Sequence, residues 1–107
     1  ISGWFINCNN LTTIDISGMD LSECIEAVNA FAATSLTNLR CNETAKDIKI
    51  SIDLGWSTKL TVTSLMSVIN SLATVSTTQT LKIGSVNKAK LSAAQIRIAT
   101  NKGWTVV

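Results

Sequence analysis

The sequence predicts an α/β fold: a right-handed solenoid with a short parallel sheet on one face and helices on the other. The main observation is that the order strand, polar or glycine turn, leucine, helix occurs three times along the chain. Strand–helix–strand connections within one parallel sheet are right-handed. Repeated units of this kind stack so that neighbours share one continuous core.

The predicted strands are short and alternate between apolar and polar residues, as half-buried strands do. Five segments show this pattern: residues 11–17 (LTTIDIS), 36–42 (LTNLRCN), 52–55 (IDLG), 81–84 (LKIG) and 104–107 (WTVV). The step from Leu39 to Ile52 covers only 13 residues. This step is too short for a helix, so the unit is expected to carry a loop over residues 43–47.

The first predicted helix covers residues 21–33. Asp20 is its expected N-cap and Glu23, three residues on, completes a capping box. Ile25 begins an apolar stripe at helical spacing, and this stripe is expected to face the core.

Two further helices are predicted over residues 64–73 and 93–102. Thr63 is the expected N-cap of the second, whose buried stripe is Leu65, Val68, Ile69 and Leu72. The third begins in a capping box of Ser92 and Gln95, and Gly103 follows it at the position where helices often end.

Composition limits the possible functions. The chain has 107 residues, which predicts a single domain over 1–107, and its net charge is only +2. A charge this weak argues against nucleic acid as a partner. No apolar stretch approaches the ~20 residues that a membrane span needs, so no membrane insertion is expected. The chain has no histidine, the usual base of nucleophilic catalysis, so we expect no enzyme activity, no cofactor and no metal.

The three cysteines, Cys8, Cys24 and Cys41, do not have the spacing of a zinc site. An odd number in a short chain does not indicate a disulfide framework. We expect three small buried apolar residues, with a single disulfide as the alternative.

The candidate binding site is the outward face of the strands. Asp15, Arg40, Asp53 and Lys82 occupy the same outward position in successive predicted strands, so their charges alternate. Two interpretations are open: a salt-bridge ladder that contributes little stability, or a polar binding stripe. The stripe would include the neighbouring polar residues Thr13, Asn38, Ser51 and Thr80.

The three tryptophans have different expected roles. Trp56 lies in a turn after a strand and is the expected exposed aromatic anchor of a binding surface. Trp104 follows Gly103 and is expected to fill the core. Trp4, with Phe5 and Ile6, is expected to expose apolar surface at the N-terminal end and to support self-association there.

Residues 5–17 (FINCNNLTTIDIS) resemble the BspA-like leucine-rich repeats of bacterial surface proteins, whose units read F-x-x-C-x-x-L-x-x-I-x-[IL]-[PS]. The segment from Leu60 to Val107 is similar to the C-terminal region of repeat proteins of gut bacteria and phage structural genes. It contains SLMSVINSLA, TLKIG and TNKGW, the last with Asn101 inserted. The units here are longer and less regular than the usual ~20–29 residues of such repeats.

This resemblance implies a leucine-rich-repeat-like domain, the C-terminal fragment of a longer protein at the cell surface, outside the cell or in a virion. The first functional hypothesis is a non-catalytic adhesion module that binds protein or glycan through its strand face. The alternative is a structural capping or assembly domain of a phage tail or surface fibre, with neighbouring subunits as its partners and no ligand of its own.

Overall fold

The structure, a computed structural model, describes residues 4, 8, 10–27, 31 and 35–107. The mixed α/β class is confirmed, with small parallel sheets and three helices. The elements in chain order are β1 (Thr13–Asp15), β2 (Asn38–Arg40), β3 (Ile52–Asp53), α1 (Val62–Ser71), β4 (Gln79–Lys82), α2 (Gly84–Lys88), α3 (Ala93–Thr100) and β5 (Trp104–Val106).

The strand pairs among the described residues are parallel, as predicted, but they form two sheets. In the first sheet β1 pairs with β2, and Ile14 lies opposite Leu39. The second sheet has the order β3-β4-β5, and Ile52 lies opposite Leu81. The prediction of a single parallel sheet is therefore wrong: Ile14 and Leu39 lie in one sheet, and Ile52 and Leu81 lie in the other.

The short step between Leu39 and Ile52 explains the two sheets. Both side chains are buried, but the chain turns between them at residues 43–45. The amide of Ala45 donates to Oδ1 of Asn42 at 3.0 Å, a side-chain bond that favours a turn. The loop predicted at 43–47 thus carries the chain from the first sheet to the second.

Hydrogen bonds join segments that lie 24 to 31 residues apart. The amide of Thr37 donates to the carbonyl of Thr12, and the amide of Thr61 to the carbonyl of Thr37, both at 3.0 Å. Further bonds of this kind join Leu21 to Asp47, Ile48 to Ala73, and Ala73 to Trp104. The described residues therefore fall into four segments, each bonded to the next, which we call layers: residues 10–27, 36–60, 61–90 and 91–107.

The predicted first helix is wrong over residues 21–27, which form a turn and irregular backbone. Asp20 does bond nearby backbone, but its carboxylate accepts from the amide of Ser22 at 2.9 Å, which closes a turn. Ile25, expected on the buried face, is 91% exposed. Apart from Phe31, the rest of the predicted helix lies outside the described residues.

Helix α1 confirms the second helix and its stripe: Leu65, Val68, Ile69 and Leu72 are all buried. The helix begins two residues earlier than predicted because the N-cap is Thr61, whose hydroxyl accepts from the amide of Ser64 at 3.1 Å. At its C-terminal end, Nζ of Lys102 donates to the carbonyls of Ile69, at 3.0 Å, and Leu72, at 2.9 Å. A cation at this end also complements the helix dipole.

Helix α3 confirms the third helix and its capping box. The hydroxyl of Ser92 accepts from the amide of Gln95 at 3.1 Å, and Oε1 of Gln95 accepts from the amide of Ser92 at 2.8 Å. The helix ends at Thr100, two residues early, and Gly103 follows with a φ of +93°. Helix α2 was not predicted, because residues after 84 read as a turn.

The core contains most of the residues that the pattern placed there. Trp104 is buried, as predicted. Cys41 is buried as expected, whereas Cys8 and Cys24 are half-buried, and all three thiols are unpaired. Phe5 and Ile6 lie outside the described residues. Of the helices that the structure describes, none has the length and apolar character needed to cross a membrane.

Candidate functional site: a groove between the first sheet and helix α1

The outward face of the first sheet carries two of the predicted site residues. Thr13 lies opposite Asn38, and Asp15 lies opposite Arg40. All four side chains are exposed, while Ile14 and Leu39 between them point inward and are buried. The alternation along each strand therefore places a carboxylate, a guanidinium, an amide and a hydroxyl on one small surface.

The Asp15 carboxylate is held by Ser17. Oδ1 of Asp15 accepts from the amide of Ser17 at 2.9 Å and from its hydroxyl at 2.6 Å. These two hydrogen bonds, together with the positive charge of Arg40, lower the pKa of Asp15 below its ordinary value. Asp15 is therefore ionised at neutral pH and fixed in one orientation.

Helix α1 takes the place of a third strand beside β2. The hydroxyl of Ser64 accepts from the amide of Leu39 at 3.0 Å, and the hydroxyl of Ser67 accepts from the amide of Cys41 at 2.9 Å. These amides would otherwise be buried without partners, which costs free energy. Two serines one helical turn apart thus satisfy the strand edge that a neighbouring strand would normally satisfy.

Because a helix is wider than a strand, an open groove remains between α1 and the outward face of the sheet. Its volume is about 590 Å³. Exposed or half-buried residues from β1, β2, the turn after β2 and α1 line it: Thr13, Asp15, Asn38, Arg40, Glu43, Val62, Thr63, Met66 and Asn70.

The groove combines positively and negatively charged side chains with apolar surface. At one end Nδ2 of Asn70 donates to Oε1 of Glu43 at 2.9 Å. Val62 and Met66 offer apolar surface on the helix side. No hydrogen bond or ion pair of the Arg40 guanidinium is found within the described part of the chain, so its five N–H donors remain free for a ligand.

The other predicted site residues belong to the second sheet. Asp53 lies opposite Lys82 in register, and Oδ2 of Asp53 is 3.6 Å from Nζ of Lys82. The amide of Gly55 donates to Oδ1 of Asp53 at 2.8 Å. The predicted row of four alternating charges is therefore wrong: it consists of two separate pairs on two sheets. In the second pair the charges meet each other, so the ladder interpretation describes it better.

Trp56 lies in the turn after β3 and is 63% exposed. Its predicted exposure is confirmed. It belongs to the second sheet, however, and does not line the groove.

The chemical groups of the groove are carboxylates, a guanidinium, amides and hydroxyls. The carboxylates and the guanidinium can form hydrogen bonds and ion pairs, and the groove contains serine and threonine hydroxyls but no imidazole to activate them, since the chain has no histidine. The Cys41 thiol is buried, and burial raises its pKa to about 12, so it stays protonated. In the part of the chain that the structure describes, no group of three or more Cys, Asp or Glu side chains is placed to hold a metal ion.

Ser64 and Ser67 were missed from the sequence although they shape the site. Their spacing of three was visible, and both fall beside the buried stripe of α1. A buried serine in a helix indicates a specific bond to backbone. Which backbone it meets depends on tertiary contacts, and these are not visible in a single segment.

Comparison with known proteins gives no relative: no family model, no curated protein and no solved structure matches the chain. The resemblance of residues 5–17 to BspA-like repeats therefore stays a prediction.

Proposed function

We propose that this chain is a non-catalytic interaction module of a bacterial or phage surface protein, organised as a leucine-rich-repeat-like right-handed solenoid. It binds a protein or glycan of a cell surface in the groove between the first sheet and α1. The observation that carries the proposal is the free Arg40 guanidinium beside an ionised Asp15 in an open groove of about 590 Å³.

The layered hydrogen bonds support the solenoid. Thr12, Thr37 and Thr61 are joined through backbone at intervals of 25 and 24 residues. These intervals fall within the usual length of leucine-rich repeats. In such a solenoid the two sheets would form two faces of the same coiled chain. The groove lies beside β2, where α1 takes the place of a strand in the third layer.

The mixture of groups in the groove supports a polar ligand. An arginine side chain binds carboxylates in bidentate geometry, and carboxylate and amide side chains together accept and donate to hydroxyls. Val62 and Met66 add apolar surface that a peptide side chain or a sugar face can cover. Such pockets, with a few placed polar groups, are typical of ligand sites.

The test compares matched charge reversals on the two sheets. Wild type, Arg40→Glu and Lys82→Glu are screened on a glycan array and against a displayed peptide library, and each hit is titrated by ¹⁵N NMR. We expect Arg40→Glu to weaken binding about tenfold or more. The substitution removes the guanidinium donors and places a second carboxylate opposite Asp15, so the two negative charges repel each other in the groove. Lys82→Glu carries the same charge change on the second sheet and should bind as wild type does.

The NMR titration locates the ligand independently of the variants. Amide shifts should change at residues 13–15, 38–40 and 62–70. A hit that binds Trp56→Ala more weakly than wild type, but binds Arg40→Glu equally well, would place the ligand on the second sheet and reject the groove. Hits that bind Arg40→Glu and wild type equally would also reject it.

A further inference from the structure

The charges of this chain are segregated along the sequence. Residues 1–27 contain four acidic residues and no basic residue: Asp15, Asp20, Glu23 and Glu26. Residues 61–107 contain five basic residues and no acidic residue: Lys82, Lys88, Lys90, Arg97 and Lys102. The small net charge of +2 therefore conceals an acidic segment of −4 and a basic segment of +5.

The fold places the acidic segment in the first layer and the basic segment in the third and fourth layers; Arg97 and Lys102 are the basic residues of the fourth. The first layer (10–27) is bonded to the second, the second to the third, and the third to the fourth (91–107). Neighbouring strands lie ~4.8 Å apart, so three steps separate the first and last layers by roughly 14 Å. The molecule is thus electrically polar along its stacking direction.

The surface of the first layer, which we call the acidic end, also exposes apolar side chains. A depression of about 420 Å³ lies there. Its lining includes Trp4, Met19, Asp20, Glu23, Ile25 and Glu26. Ile25 is 91% exposed and Trp4 is 48% exposed, and both line this one depression.

The surface of the last layer, which we call the basic end, carries one exposed basic side chain, Arg97, beside exposed apolar side chains. The second basic residue of this layer, Lys102, is half-buried and its amine is bonded to carbonyls at the end of α1. Arg97 is exposed and Ala99 is buried. Because residues two positions apart lie on roughly opposite sides of a helix, Arg97 is on the outer side of α3. Ile98 and Val107 add apolar surface and are 39% and 46% exposed. Together the two ends hold four of the seven exposed large apolar side chains among the described residues.

We infer that copies of this chain associate head to tail, with the basic end of one copy seated on the acidic end of the next. The contact is heterologous, because it joins two different patches, one acidic and one basic, that both expose apolar side chains. Heterologous contacts produce open chains of subunits when the rotation between neighbouring copies does not close a ring. Charge complementarity sets the orientation, since two acidic or two basic ends repel each other. This inference is independent of the groove and agrees with an assembly role.

The experiment measures self-association of the full chain by sedimentation velocity over a concentration series. We expect oligomers at about 0.01 M salt and monomers at about 1 M salt, because the screening length falls tenfold between them. Glu23→Lys and Arg97→Glu should each weaken association about tenfold or more. Lys59→Glu, the same charge change as Arg97→Glu but within the second layer, should associate as wild type does.

A mixture of the two end variants is the decisive measurement. Glu23→Lys and Arg97→Glu each repel their own kind, but the new charges are complementary, so an equimolar mixture should recover most of the association. Circular dichroism verifies that each variant is folded. A wild-type chain that stays monomeric at low salt, or a mixture no more associated than its components, would overturn the inference. Binding of a basic peptide to the acidic end without self-association would overturn it too.

Discussion

The two sheets of this small domain end in different ways. In the described part of the chain the first sheet has two strands, and the hydroxyls of Ser64 and Ser67 satisfy the edge of β2. The second sheet continues through backbone pairing from β3 to β5. The first edge is thus closed by side chains of a helix, and the second sheet is extended by the chain itself.

This difference determines where the surface of the molecule has a groove. Where α1 replaces a strand, a groove opens, and among the described residues the Arg40 guanidinium has no hydrogen bond or ion pair. Where strands continue, Asp53 lies opposite Lys82 on the neighbouring strand and the two charges pair at 3.6 Å. Outward charges at equivalent sequence positions therefore have different roles, set by whether the next layer is helix or strand.

The largest expected effect lies at the end of the second sheet, at Gly103. A Cβ at this position would lie 2.5 Å from the carbonyl oxygen of Val75, and the φ of +93° is strained for any other residue. Gly103→Ala should lower the free energy of unfolding by about 3 kcal/mol, measured by urea denaturation. Its control is Gly18→Ala, where a Cβ meets nothing within 4 Å and the change should stay within about 0.5 kcal/mol.

The sequence predicted those elements whose signals are local. The stripe of α1, the capping box of Ser92 and Gln95, and the glycine after α3 all depend on residues within a few positions of each other, and all are confirmed. Parallel pairing was also predicted correctly, because strand–turn–helix order permits little else.

The sequence failed where the outcome depends on distant partners. Asp20 carries the signature of a helix cap, yet the amide of the next residue, Leu21, is bonded to the carboxylate of Asp47 in the next layer. A tertiary bond of this kind overrides local propensity. The number of sheets could not be predicted from the sequence either. The 13-residue step from Leu39 to Ile52 is compatible with two neighbouring strands of one sheet and with a chain that passes from one sheet to another. Of the predicted site residues, therefore, Asp15 and Arg40 line the groove, and Asp53, Lys82 and Trp56 belong to the second sheet.

A smaller effect tests how α1 closes the first sheet. Ser67→Ala removes the acceptor of the buried Cys41 amide and should lower the free energy of unfolding by about 1–3 kcal/mol. The Cys41 amide should also exchange with deuterium much faster than in wild type. Ser71→Ala is the matched control, because the Ser71 hydroxyl donates only to a carbonyl of its own helix, that of Ser67, at 2.6 Å. If both variants lose equal stability, the bond from the Cys41 amide to Ser67 does not stabilise the strand edge as a neighbouring strand would.

The smallest effect concerns the charge beside the groove. The Ser17 hydrogen bonds lower the pKa of Asp15, and Arg40 adds to this. A carboxyl whose pKa is lower in the folded state contributes stability above its unfolded pKa, and this contribution is lost as the pH falls through the folded value. Ser17→Ala should therefore raise the pKa of Asp15 towards 3.8, measured by ¹³C NMR of the carboxyl carbon. Arg40→Gln should raise it less, because Arg40 is the weaker cause. The reverse order would mean that the guanidinium, not the serine, fixes the carboxylate, and Arg40 would then be less free to meet a ligand.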